Sequence, residues 1–198
     1  MKLDPKIVAE LALAFQPQSY LRVIPAAHAA TPLGMGLSHT RFSSPDRTFR
    51  LIYLARDLAT AIAETIVRDR FEDATERVLD HSEIEEWAVA EVSAPSSLVV
   101  LDLRTTGLLR LGVSTDATRA KAHREGQQLS KAVYNAFAVD GLLYSSRLTS
   151  AECLAVYDRA VEVKLVSTRA VNLVRHPDLI PALKSIGVAI RSAPSTMG

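Results

Sequence analysis

Apolar positions along the chain alternate between two periods, and the changes of period mark the elements. Asp4-Pro5 precedes Ile7, Val8, Leu11 and Phe15 at helical spacing. Asp4 is placed to cap this helix, Pro5 fits its first position, and Pro17 stops it, giving a predicted helix over 4–15. Tyr20–Ile24 reads as a strand, and residues 25–36 (PAAHAATPLGMG) read as loop from their Pro, Gly and Thr content. Phe49–Ala55 is rich in β-formers. After it, Asp57 can cap a helix running to about Arg70, with Ala61, Ile62, Thr65 and Ile66 as its inward stripe.

Glu86–Val92 and Leu98–Leu103 are the next strands. Residues 116–137 carry the longest helical pattern, with Leu129, Val133 and Phe137 four apart. Leu142–Ser145, Cys153–Tyr157 and Val161–Val166 are further strands, and a last helix spans Pro177–Ile186, closed by Gly187. Strands and helices mix without regular alternation, which favours α+β over a doubly wound parallel sheet. There is no internal repeat, and the chain reads as one domain over 1–198, with SAPSTMG (192–198) as a disordered tail.

Composition narrows the chemistry. Hydrophobic residues make up 48% of 198, enough for a core without metal or disulfide staples. Lys plus Arg number 23 against 22 Asp plus Glu, and the basic residues are dispersed, which argues against a nucleic-acid binder. Cys153 is the single cysteine, so an internal disulfide is impossible and a reducing cytoplasm is the expected home. Asp4, Lys6 and Glu10 interrupt any signal-peptide core, and no apolar run reaches the roughly 20 residues of a membrane span.

Common site signatures are missing. His28, His39, His81, His123 and His176 form no ligand-spaced pair, so no metal site is expected. Gly34-x-Gly36 does not extend to a dinucleotide fingerprint, and neither a phosphate-binding GxxxxGK[ST] loop nor a GxSxG elbow occurs.

One residue stands out. Glu64 interrupts the run LATAIAETIV (58–67), two positions after Ile62 and two before Ile66. A carboxylate bordering a core or cleft costs several kcal/mol unless paired, which makes Arg41 a candidate partner. The plain reading is a structural Glu–Arg pair or a solvent-facing helix residue, in a non-catalytic module that binds a partner.

Four stretches in order, Thr40-Arg41-Phe42, Tyr53-Leu54-Ala55, Ala61-Ile62-Ala63-Glu64 and Tyr144-Ser145-Ser146-Arg147, resemble the RES-domain family, toxins of type II toxin–antitoxin systems. The resemblance covers about Arg22 to Val166. Thr40 stands where the family commonly has Gly, and Ser43 where Asn is frequent, departures that suggest a subfamily.

The resemblance implies an ADP-ribosyltransferase-like fold, split β-sheets around a cleft with flanking helices, and NAD⁺ as substrate without a metal. It implies that Glu64 stabilises the oxocarbenium-like ribose left when nicotinamide departs. Arg41 would hold the pyrophosphate or ribose. Tyr53 would offer a ring face and a hydroxyl to the nicotinamide. Ser145 or Ser146 would bond the nicotinamide amide or the ribose, with Arg22 a further phosphate contact. Water, phosphate or a target protein would accept the ADP-ribose, and a helix-turn-helix antitoxin would be the partner. The helices outside the core, 4–15 and 177–186, would offer a surface to a target protein, cap the structure or meet the antitoxin.

Overall fold

The computed structural model describes residues 1–37, 39–68, 70–71, 74–119 and 123–191; for Arg119 only the backbone is described. Helix α1 (Pro5–Leu11) begins as expected, with the Asp4 carboxylate accepting from the Lys6 N–H at 2.9 Å. It ends at Leu11 rather than Phe15, because Ala12–Phe15 forms strand β1, antiparallel to the later strand at Leu98–Leu101. Leu11-Ala12-Leu13-Ala14-Phe15 also alternates large and small with period two, and pairing with a sheet edge selects that period over the helical one. Leu13 and Phe15 thereby pack on one face of the sheet and Ala12 on the other.

Strand β2 (Tyr20–Pro25) runs into a 3-10 turn at Ala26–His28, and β3 is Leu51–Ala55. Helix α2 (Leu58–Ile62) is capped by Asp57, whose side chain accepts from the Thr60 N–H at 2.8 Å. It passes into a π-helical segment, Ala63–Val67, and stops at Arg68, held at φ 27°. The wider π turn changes which residues face inward: Ala63 and Val67 are buried, while Thr65, expected on the inner stripe, is exposed.

Neither β4 (Val78–Asp80) nor α3 (His81–Glu85), the latter opened by an Asp80/Glu83 capping box, has a counterpart in the sequence reading. Strands β5 (Trp87–Ser93) and β6 (Leu98–Asp102) follow as expected. The long helix expected over 116–137 is broken. Short helices α4 (Gly107–Arg110) and α5 (Asp116–Arg119) precede α6 (Arg124–Ala136), whose Leu129 and Val133 are buried while Phe137 only closes it; residues 120–122 lie outside the described set.

Strands β7 (Gly141–Ser145) and β8 (Glu152–Tyr157) come next. The strand expected at Val161–Val166 is mostly helix α7 (Asp158–Lys164), followed by β9 (Val166–Ser167). The helix buries Ala160 and Val161 and brings the Lys164 Nζ to the Asp140 carboxylate at 2.7 Å, contacts an extended chain would not make together. Then come β10 (Val171–Asn172), α8 (Leu179–Ser185) and β11 (Ala189–Arg191). Gly187 stands just past α8 at φ 68°, where only glycine is unstrained. The expected tail, 192–198, lies outside the described residues.

The architecture is α+β. One sheet runs β1-β6-β7-β8-β3-β2-β5-β10, with β9 also on β5, and β4 pairs β11 separately in parallel. Within the main sheet only β6 and β7 are parallel. It is nearly split: β2 and β3 share a single register pair, Leu21 with Ala55, whereas β3 pairs with β8 over all five of its residues and β2 with β5 over all six. That opening between β2 and β3 forms a cleft in the sheet. Apolar layers cover both faces of the sheet, and α2, α6 and α8 belong to one of them. Among the described residues, no helix is long and apolar enough to cross a membrane.

Candidate active site

A cavity of about 630 Å³ occupies the gap between β2 and β3, a size suited to a small-molecule ligand. Arg22, Arg41, Tyr53, Glu64, Arg68 and Tyr144 reach its walls from five different parts of the chain.

Arg41 sits on a turn that many groups hold. The Ser43 hydroxyl accepts from the Thr40 N–H at 3.0 Å and donates to the Thr40 carbonyl at 2.9 Å. Gln127 of α6 donates to that carbonyl at 3.0 Å. The Tyr53 hydroxyl accepts from the Phe42 N–H and donates to the Thr40 Oγ1, both at 2.9 Å. Below the turn, Gly126 permits a close backbone approach: a Cβ there would lie 2.6 Å from the carbonyl oxygens of both Arg41 and Ala117. Arg41 itself is buried, and that burial pulls its guanidinium below its ordinary value, opposed chiefly by the carboxylate of Glu64.

Glu64 lies inside the π-helical segment, a distortion common at functional sites. The buried Ser146 donates its hydroxyl to the Glu64 Oε1 at 2.6 Å. The same Ser146 oxygen accepts from the N–H groups of Leu148 and Thr149 at 3.1 and 3.2 Å. Two backbone dipoles thus polarise the hydroxyl that orients the carboxylate. Ser145, one residue earlier, pairs across the strands with Glu152 and lies on the opposite face of β7 from Tyr144. Of the two serines, Ser146 is the one brought to Glu64.

The aromatic groups divide the work differently from expectation. Burial pushes the Tyr53 hydroxyl up to about 12, so it remains protonated, and both of its bonds go to the Arg41 turn. Tyr53 lines the cavity with its ring, but its hydroxyl is committed within the protein. Tyr144 also lines the cavity, its ring edge-on to Phe42 at 5.0 Å, and burial raises its hydroxyl well above the ordinary value. Arg22 lines the cavity from β2, where burial pulls it down to about 10. Its guanidinium donates to the Gly34 carbonyl at 2.8 Å and to that of Pro32, tying the 25–36 loop to the cleft.

This chain matches the RES domain over residues 17–178. It belongs to the RES-domain family. A relative, the "Probable toxin y4kH" of Sinorhizobium fredii (strain NBRC 101917 / NGR234), is 38% identical over 81 residues, which span 40% of this chain and 64% of the relative. A chain in the crystal structure of the M. tuberculosis MbcT–MbcA toxin–antitoxin complex has the same fold, with a TM-score of 0.66 at 19% identity over 92% of this chain and 98% of that one.

In this RES domain, Arg41, Tyr53, Glu64 and Arg22 share one cavity, and Ser146 stands against Glu64. Tyr144, Arg68 and Gly126 were not singled out from the sequence. Tyr144 lay within the Tyr144–Arg147 motif, two residues before Ser146 and hence on the same strand face. Arg68 follows Glu64 by four, about one helical turn. Gly126 gave no signal, since its requirement arises only where α6 meets the Arg41 turn. Among the described residues, no group of three or more His, Cys, Asp or Glu could hold a metal ion.

Proposed function

We propose that this chain breaks the nicotinamide–ribose bond of NAD⁺ and is the toxin of a toxin–antitoxin pair. The observation that carries the reading is the Glu64 carboxylate, oriented by Ser146 in the wall of a cavity that also presents the Arg41 guanidinium. As the C1′–N1 bond breaks, its electron pair leaves with neutral nicotinamide and positive charge develops on the ribose. A carboxylate already oriented stabilises that charge without reorganising in the transition state. Arg41 supplies the planar fork that suits pyrophosphate oxygens. Tyr53 acts by holding the Arg41 turn, and the rings of Tyr53 and Tyr144 offer aromatic surface to the nicotinamide.

The acceptor that attacks C1′ is water, phosphate or a nucleophilic side chain of a target protein, and it loses a proton on doing so. The toxin assignment draws support from the named relatives, one a probable toxin and the other a chain of a toxin–antitoxin complex. A helix-turn-helix antitoxin covering the cleft around Arg41 and Glu64 would block substrate entry without remodelling the toxin.

Purified protein incubated with NAD⁺ labelled in its adenine half tests the reading. Release of free nicotinamide supports bond cleavage, and intact NAD⁺ after prolonged incubation refutes it. The label then reports the acceptor, as free ADP-ribose, as its phosphate or as a labelled protein band. In cells, expression without the antitoxin should deplete NAD⁺ and arrest growth.

A further inference from the structure

A second hollow, of about 840 Å³, lies on the other side of the π-helical segment, between it, the 147–151 turn and the end of α8. Three arginines line it, Arg68, Arg77 and Arg147. Among the described residues lining it, Asp57 is the one carboxylate, and an oxygen of that carboxylate is already engaged by the Thr60 N–H. Among the described residues, neither Arg68 nor Arg77 makes a side-chain hydrogen bond or ion pair. Arg147 has an interaction of its own within the chain, whereas the like charges of Arg68 and Arg77 beside one hollow are relieved by an anion held against them. Guanidinium forks match phosphate oxygens in geometry as well as in charge. The volume exceeds what a bare phosphate ion needs, and Phe71 adds an aromatic wall.

We propose that this hollow binds a phosphorylated small molecule, at a site separate from the cleft between β2 and β3. Arg68 lines both hollows, so the two sites share a wall. Arg77 lines only the second. Its side chain is exposed, and its backbone carbonyl accepts from the Ala189 N–H, a bond that a side-chain substitution leaves in place.

The test uses the full chain, with inorganic pyrophosphate as the probe in isothermal titration at fixed ionic strength. The expected result is saturable binding that weakens about tenfold in Arg77→Ala, as loss of one charge-assisted contact implies. Absence of saturable binding, or equal affinity in Arg77→Ala, would overturn the proposal. The Arg77 comparison stands whether or not the chain cleaves NAD⁺, so a failure of that reading is told apart from a failure of this one.

Discussion

Ser146 and Glu64, 82 residues apart in the chain, meet through a 2.6 Å hydrogen bond in which the serine donates to the carboxylate. The bond joins the end of β7 to the π-helical segment after α2. A hydrogen bond to a charged group contributes about 1.5–3 kcal/mol, enough to restrict the carboxylate to one orientation.

Ser146→Ala should therefore lower kcat for nicotinamide release by roughly one to two orders of magnitude, with KM nearly unchanged. The melting temperature should also fall, because the Leu148 and Thr149 N–H groups lose their acceptor. Steady-state kinetics beside a thermal melt checks both halves. Unchanged kcat in a destabilised protein would reduce the serine to a turn-forming role.

Arg41→Lys keeps the charge but removes the planar fork. NAD⁺ turnover should drop sharply while the circular dichroism spectrum stays that of the wild type. A fully active lysine variant would show that only a generic cation is needed beside Glu64.

Gly126→Ala tests the support of Arg41 from a residue that touches no substrate. The added methyl would meet the carbonyls of Arg41 and Ala117 at 2.6 Å, so α6 or the 40–43 turn has to shift. Overpacking of this kind costs about 1–3 kcal/mol, and displacement of Arg41 should raise KM for NAD⁺ beyond what the stability loss explains. Thermal melts and KM measured on the same preparation separate the two effects. Wild-type KM would mean that the turn absorbs the methyl without moving Arg41.

Much of this arrangement was legible in the order of short motifs. Glu64 drew notice because a carboxylate interrupts an apolar run, and Arg41 because such a charge needs a partner. Choosing between Ser145 and Ser146 required the strand register, since adjacent residues face opposite sides of a sheet and only pairing partners reveal which side is which. The role of the Tyr53 hydroxyl depended on the 40–42 turn folding back over β3, a contact between segments with no local signal. The same limit applies to β1 and α7. Both stretches carry patterns compatible with either period, and tertiary partners, β6 for the first and Asp140 for the second, make the choice.

His123 supplies a pH signature. Burial, and then the nearby Arg68 and Arg41 charges, lower its value from 6.5. The folded chain thus resists a proton that the unfolded chain accepts. The contribution of neutral His123 to stability is complete above pH 6.5 and is lost as pH falls toward the depressed folded value. Chemical denaturation of the wild type and His123→Asn at pH 7.5 and 5.5 should show the wild type losing more stability on acidification. Equal losses in the two proteins would remove His123 as the source.

The central claim is that the Glu64 carboxylate stabilises charge on the ribose as nicotinamide leaves. Glu64→Gln keeps the size of the side chain and can still accept from Ser146, but removes the negative charge. The decisive measurement is the steady-state rate of nicotinamide release from saturating NAD⁺ by this variant, on protein whose circular dichroism matches the wild type. The account predicts a loss of roughly two to three orders of magnitude. A rate near that of the wild type would contradict it.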